Sequence, residues 1–366
     1  MQNQLRTGIC NFDNSATGSC QLGRWELSGA VLYRFAYRRY QLPFRQPVRT
    51  AHGVWADREG LLLRLENEAG VVSFGEVSPI AWFGTETVDE AEEVCKGLGE
   101  HVKDEVLASV PEHCGCLRFA VASALSGEHG PKIEGAKALQ VAALLPAGRA
   151  ALNAVEPKAE AGFRIFKWKV GVADIADELA MIDDLIARLP AGAKLRLDAN
   201  GAWDRRKAER WLAHCAERPV EFVEQPIAAD AKGAEDLLLG LANDYPTPIG
   251  LDESVVREGD VVRWLERGWP GVFVIKSALL GDAAATIARL DKAKACVVFS
   301  SALETAVGAK AALRMAFAFG GEPRALGFGV WPLFQDERFD GPYQAPFIRA
   351  QDVLAINEEA VWNALS

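Results

Sequence analysis

The sequence predicts an α/β protein: a (β/α) barrel of modified TIM type, preceded by an N-terminal α+β capping domain. Three observations carry this. The chain has 366 residues, more than one small domain needs at roughly 100–200 residues per domain. Strand-like runs followed by helical segments fill its first third. From about residue 138, short apolar runs alternate with amphipathic helices at a spacing of roughly 25–30 residues, the rhythm of repeated β/α units.

Residues 1–24 read as a polar extension with no signal-peptide pattern and no apolar stretch of membrane-spanning length. The capping domain is expected over 25–133. Its strand-like runs extend from Trp25 to about Leu65, including Val31–Tyr37 and Leu61–Leu65, with Pro43–Gly60 expected as a loop rich in Arg, Pro and Gly. Glu66–Gly70 predicts a hairpin turn and Val71–Gly75 the returning strand. Thr87-Val-Asp-Glu90 can cap a helix running to Gly97, and Cys116–Leu125 is an unbroken apolar segment.

The barrel is expected over 134–330. Its strand candidates are Leu139–Leu145, Phe163–Val170, Lys194–Ala199, Glu221–Glu224, Ile249–Asp252, Val272–Lys276, Cys296–Ser300 and a weakly marked Ala325–Val330. A short helix fits between Pro146 and Gly162. Ile175, Leu179, Ile182 and Ile186 share one helical face, and Val261, Val262 and Leu265 another. Eight strands with intervening helices is the barrel count. The stretch 331–366 lacks the barrel pattern and is expected to pack back on the capping domain.

Hydrophobic residues at 49% and charged residues at 25% are ordinary for a globular protein. A net charge of −10 lacks the basic footprint that nucleic acid or an anionic membrane requires, so neither is an expected partner. The seven cysteines are odd in number and scattered, as reduced cytoplasmic thiols are. His113-Cys114-Gly-Cys116 could form half a zinc site, but no second ligand pair follows at finger-like spacing. No charge pattern or apolar stripe specifies an oligomeric state.

The chemistry gathers at the strand ends. Residues two apart in a strand share a face, so Lys167 and Lys169 point one way and Trp168 the other. In Leu195-Arg-Leu-Asp-Ala-Asn200 the leucines take the helix-facing side, leaving Arg196, Asp198 and Asn200 inward. Glu224, Asp252 and Lys276 close the next apolar runs, at the strand ends where barrel active sites lie. Three carboxylates in one cavity, Asp198, Glu224 and Asp252, would repel one another unless a cation sat among them. All-oxygen ligation with places left for water and substrate suits Mg²⁺. Lys169 and Lys276 then flank the metal from opposite sides. Lys167 and the metal would lower a neighbouring lysine toward the working range of a general base. The expected reaction abstracts a proton next to a carboxylate, with the metal holding the enediolate. A lone Asp or Lys at a strand end is as readily a cap or a surface ion pair. Five on successive strands are not explained that way.

Lys167-Trp-Lys169, Asp198-Ala-Asn200, Glu224-Gln-Pro226, Asp252-Glu253-Ser254 and Lys276 resemble the barrel signature of the muconate-lactonizing subgroup of the enolase superfamily. The resemblance covers nearly the whole chain after about residue 28. Gly75-Glu-Val-Ser-Pro79 with Trp82-Phe-Gly84, and Ser300–Thr305, narrow it to the o-succinylbenzoate synthase family. That family dehydrates a succinyl-bearing cyclohexadiene carboxylate in menaquinone or phylloquinone synthesis. The resemblance implies Asp198, Glu224 and Asp252 as Mg²⁺ ligands, with Glu253 an alternative to Asp252. It implies Lys169 as base and then acid, Lys276 as the cation stabilising the enediolate, and Lys167 as assisting the metal-bound carboxylate and lowering the proton affinity of Lys169. Asn200, Ser301, Arg49 and His52 are the candidate contacts to a small carboxylate substrate. Ser301 is equally readable as a turn hydroxyl, and Arg49 and His52 as solvated residues. Glu76 and Ser78 are expected to be structural.

The same subgroup contains N-succinylamino acid racemases, muconate cycloisomerases and dipeptide epimerases. The last resemble one another in an Asp-x-Asp pair that Gly327-Phe-Gly-Val-Trp-Pro332 lacks. A metal-free Schiff-base aldolase using Lys169 or Lys276 would leave the carboxylates unexplained. A non-catalytic barrel scaffold would be expected to have lost a ligand, and none is lost.

Overall fold

The computed structural model describes residues 31–50, 53–127, 133, 137–343 and 345–365. Its first unit is an antiparallel sheet. Strands β1 (Leu32–Thr50) and β2 (Gly53–Asn67) form one long hairpin, from Tyr33 opposite Asn67 to Thr50 opposite Gly53. β3 (Val72–Val77) returns along β2 after a turn in which Asn67 Oδ1 accepts from the backbone N–H groups of Ala69 and Val71. The Glu90 carboxylate and the Thr87 hydroxyl cap α1 (Val88–Leu98) reciprocally. β4 (His101–Lys103) joins the sheet beside β1, and α2 (Asp104–Ala108) and α3 (Gly115–Ser126) follow.

Of the expected Pro43–Gly60 loop, residues 43–50 and 53–60 are strand, not loop, and residues 51–52 lie outside the described residues. They form the distal arms of the hairpin, because antiparallel pairing is made by the backbone and tolerates the Arg, Pro and Gly content. Pro43 and Pro47, which cannot donate, fall in or beside the stretch between Pro43 and Val48 where the register shifts. Trp25 and its neighbours lie outside the described residues.

The second unit is the barrel. β5 (Ala138–Gln140) and β6 (Ala143–Leu145) divide the expected first strand, and α4 (Ala150–Glu160) follows. Then come β7 (Ile165–Lys169), α5 (Ile175–Ile186), β8 (Lys194–Asp198), α6 (Arg205–Cys215), β9 (Val220–Glu224) and α7 (Ala234–Asp244). β10 (Ile249–Leu251), α8 (Glu258–Glu266), β11 (Val272–Ile275), α9 (Ala283–Lys292), β12 (Cys296–Phe299) and α10 (Ala306–Ala318) complete the series. Among the described residues, β6 to β12 form one parallel sheet in sequence order. The eighth strand is reduced to two parallel bridges, Leu326 to Val141 and Gly327 to Ser300, which join the sheet's two edges. Gly327 suits this place because a Cβ there would meet the Ser300 side chain at 2.4 Å.

The barrel interior carries a small apolar plug of Phe222, Val272, Val274 and Val298. Gly250 leaves it room, since a Cβ would come within 3.0 Å of the Phe222 ring. Arg196 is buried beside this plug, its guanidinium 4.9 Å over the Phe222 ring. Arg196 donates to Glu221 at 2.7 Å and to the Ala325 carbonyl at 2.6 Å. The inward direction read from the sequence thus ends in a structural tie between β8, β9 and the closing segment.

The chain end runs back over the capping sheet. Phe44 bridges Phe334, and the Arg45 N–H donates to the Leu333 carbonyl at 2.8 Å. β13 (Phe347–Arg349) pairs with β5, and α11 (Ala350–Leu354) and α12 (Glu358–Asn363) follow, with Trp362 of α12 under Arg38. Among the described residues no helix is long and apolar enough to cross a membrane.

Candidate active site

Strand alternation builds the site. On β7, Phe166 and Trp168 are fully buried against the helices, so Lys167 and Lys169 project into the barrel. Lys169 stands opposite Asp198, and Asp198 opposite Glu224, at the C-terminal ends of β7, β8 and β9. Asp252 directly follows β10 and Lys276 directly follows β11. Asp198, Glu224 and Asp252 are all buried.

Lys167 binds two of the carboxylates, 2.8 Å from Asp198 Oδ2 and 2.7 Å from Glu224 Oε1. Lys276 is in direct contact with Asp252 Oδ1. From the capping unit, the Phe83 ring covers the Lys276 ammonium at 5.1 Å. Gln225 holds the loop after β10, its Oε1 accepting from the N–H groups of Asp252 at 3.0 Å and Ser254 at 3.2 Å.

The electrostatics follow from crowding. Burial, reinforced by Asp198 and Asp252, pushes the Glu224 carboxyl up to about 8. Burial and the same two carboxylates raise Glu253 to about 7. Burial also opposes the charged form of Asp198, but Lys167 outweighs it and holds that carboxyl below its usual range. For Lys167 burial is outweighed by Asp198, Glu224 and Asp252, which raise it. For Lys169 burial dominates and the Lys167 charge adds to it, so its ammonium is lowered.

The donor set fits a hard divalent cation. Buried oxygen atoms converge from three strand ends, and two more, Asn200 Oδ1 and Glu253 Oε2, are buried without a hydrogen-bond partner. The carboxylates are turned to the lysines, and among the described residues no three His, Cys, Asp or Glu side chains stand as a ready-made cage. Ligation therefore requires the carboxylates to turn from these lysines toward a shared centre.

Asn200 belongs to this cluster: its Nδ2 donates to Glu253 Oε1 at 3.1 Å and its N–H to Asp198 Oδ1 at 3.2 Å. Ser301 is buried at the end of the seventh barrel strand. Its hydroxyl donates to Glu304 at 3.0 Å and accepts from the Leu303 N–H, which is the turn role. Arg49 lies opposite Val54 near the hairpin tip, and His52 falls outside the described residues. Sequence reasoning missed Glu178, Gln225, Phe83 and Arg58 as supports. Glu178 accepts from three N–H groups of the loop after Lys169. Arg58 is buried and donates to the Leu303 and Pro79 carbonyls. Glu76, expected to be structural, accepts from Tyr40 and from the Thr305 and Gly308 N–H groups, so it ties the capping sheet to α10.

This barrel, with carboxylates and lysines at its mouth and an antiparallel cap, defines the enolase superfamily. Residues 149–346 match the enolase C-terminal domain-like family, and residues 32–126 match the MenC N-terminal domain. The sequence is 42% identical over 303 residues to o-succinylbenzoate synthase of Thermosynechococcus vestitus, covering 81% of this chain and 92% of that one. The chain belongs to the o-succinylbenzoate synthase family. A crystal structure of that enzyme from Thermosynechococcus elongatus, complexed with magnesium in its active site, matches with a TM-score of 0.76. It does so at 38% identity over 90% of this chain and 99% of that one. N-succinyl Arg/Lys racemase from Bacillus cereus shares the fold, with a TM-score of 0.77 at 17% identity over 92% and 98% of the two chains.

Proposed function

We propose that the protein dehydrates 2-succinyl-6-hydroxy-2,4-cyclohexadiene-1-carboxylate to o-succinylbenzoate, a step of menaquinone or phylloquinone synthesis. The observation that carries this is the pairing of Lys169 and Lys276 on opposite sides of three buried carboxylates, in a chain of this family. Asp198, Glu224 and Asp252 would hold Mg²⁺. When bound, the ion supplies Lewis-acid stabilisation of the negative charge that develops on the substrate carboxylate.

Lys169 acts first. Its lowered proton affinity, caused by burial and by Lys167, lets the neutral amine take the proton from the carbon bearing the carboxylate. Lys276, paired with Asp252 and screened by Phe83, places a positive charge against the resulting enediolate. Lys169 then returns its proton to the departing hydroxyl, which leaves as water. The amine is regenerated and the ring becomes aromatic. Asn200 and Ser301 from the barrel, with Arg49 and His52 from the capping-domain sequence, are the proposed polar contacts to the substrate.

The test is turnover of the purified protein with this cyclohexadiene and Mg²⁺, followed by product absorbance with an EDTA control. Mg²⁺-dependent aromatisation is expected. An intact, Mg²⁺-binding protein without turnover would overturn the substrate assignment.

A further inference from the structure

β6 presents an unusual face to the barrel mouth. Ala143 stands opposite Phe166, Leu144 opposite Lys167 and Leu145 opposite Trp168. Side chains at paired positions of neighbouring parallel strands share a face. Phe166 and Trp168 are buried on the helix side, as are Ala143 and Leu145. Lys167 reaches inward to Asp198 and Glu224. Leu144 therefore points inward too, one position from the C-terminal end of its strand.

This leucine is 44% exposed, although its paired lysine side chain is only 18% exposed. Deeper in the barrel the inward positions are closed by the plug of Phe222, Val274 and Val298. The open side of Leu144 is thus at the barrel mouth, on the inward face that also carries Lys167 and the carboxylates. An isobutyl group left in water beside ion pairs gains by being covered with apolar surface. Lys169 is the next residue but one along the paired strand, so whatever covers Leu144 lies against the proposed base. Across the mouth, Phe83 adds a second apolar surface over Lys276.

We propose that Leu144 is a specificity-determining residue whose side chain packs on the carbon face of a cyclic substrate while Lys169 reaches its acidic C–H. This rests on the dehydration proposed above and adds what selects a ring: an apolar wall on the first barrel strand, beside the charged cluster.

The test compares wild type, Leu144→Ser and Leu144→Met, all with Mg²⁺, in two assays. One is dehydration kinetics; the other is calorimetric binding of 2-succinylbenzoate. Leu144→Ser is expected to raise KM for the cyclohexadiene and weaken 2-succinylbenzoate binding by about 10-fold. Its kcat should stay within about 3-fold and its melting temperature close to wild type, since the side chain is already half in solvent. Leu144→Met, which keeps the apolar surface, is expected to behave as wild type. Unchanged KM and binding in Leu144→Ser would overturn the role of Leu144 and leave the dehydration standing. A wild type that binds 2-succinylbenzoate without turning over the cyclohexadiene would overturn the dehydration, and the binding comparison would still decide on Leu144. A wild type that does neither overturns both.

Discussion

Arg196 Nε donates to Glu221 Oε2 at 2.7 Å inside the barrel, and Glu221 reaches it through a β-bulge. The register passes from Leu195 opposite Val220 to Arg196 opposite Phe222, which leaves Glu221 as the unpaired extra residue. Both side chains are buried, 1% and 8% exposed. Removing Arg196 leaves Glu221 only its second ion pair, with Arg324 at 2.7 Å, and leaves the Ala325 carbonyl without this donor. Arg196→Met is therefore expected to cost roughly 1–3 kcal/mol in urea unfolding, and a loss below about 0.5 kcal/mol would contradict the account.

Glu178 controls the loop that leaves the proposed base. Its carboxylate accepts from the N–H groups of Gly171 at 2.8 Å, Val172 at 3.0 Å and Ala173 at 3.1 Å. Glu178→Ala leaves three donors unmet and lets the end of β7 shift. The expected result is a loss of roughly 2–3 kcal/mol in stability and a kcat about 10-fold lower, with Glu178→Gln recovering part of each. Equal kinetics for Glu178→Ala and wild type would show that the loop does not position Lys169.

These supports show where the sequence was legible. Lys167, Lys169, Asp198, Glu224, Asp252 and Lys276 could be found because strand alternation fixes which charged residues leave the apolar side. Residues whose role arises from tertiary contact could not. Glu221 alternates onto the outer face unless the bulge is known. Arg58 fell within the expected Pro43–Gly60 loop because hairpin pairing through the backbone leaves little side-chain pattern, yet it is buried against Leu303 and Pro79. The eighth strand was weakly marked because Gly327 and its neighbours contribute two bridges, not a run of paired residues.

Glu304 gives a pH dependence. Burial, with Glu76 nearby, raises its carboxyl from 4.5 to about 7, against hydrogen bonds from Ser301 and the Ala302 N–H. A raised folded-state value means that its contribution is fully present below the unfolded value. It is lost as pH rises through about 7. Wild type should therefore lose stability relative to Glu304→Gln between roughly pH 4.5 and 7, by no more than about 1.4 kcal/mol per pH unit. Urea unfolding of both proteins at several pH values reads this directly. Parallel curves would contradict it.

The Glu76 tie predicts a coupling between cap and barrel. The carboxylate accepts from Tyr40 at 2.6 Å and from the Thr305 and Gly308 N–H groups, each at 2.8 Å. Glu76→Ala is expected to lower stability by roughly 3 kcal/mol and to raise KM more than it lowers kcat, because the loosened cap carries Phe83 over Lys276. A variant with lowered stability and wild-type KM would confine Glu76 to folding.

The most direct test of the central claim is one sample of Lys169→Ala examined for both Mg²⁺ binding by calorimetry and dehydration of the cyclohexadiene. The account predicts Mg²⁺ affinity within about 3-fold of wild type, since the carboxylates remain, and turnover lower by at least about 10³-fold, since the base is gone. Turnover near the wild-type rate would contradict the assignment of Lys169 as the group that moves the proton.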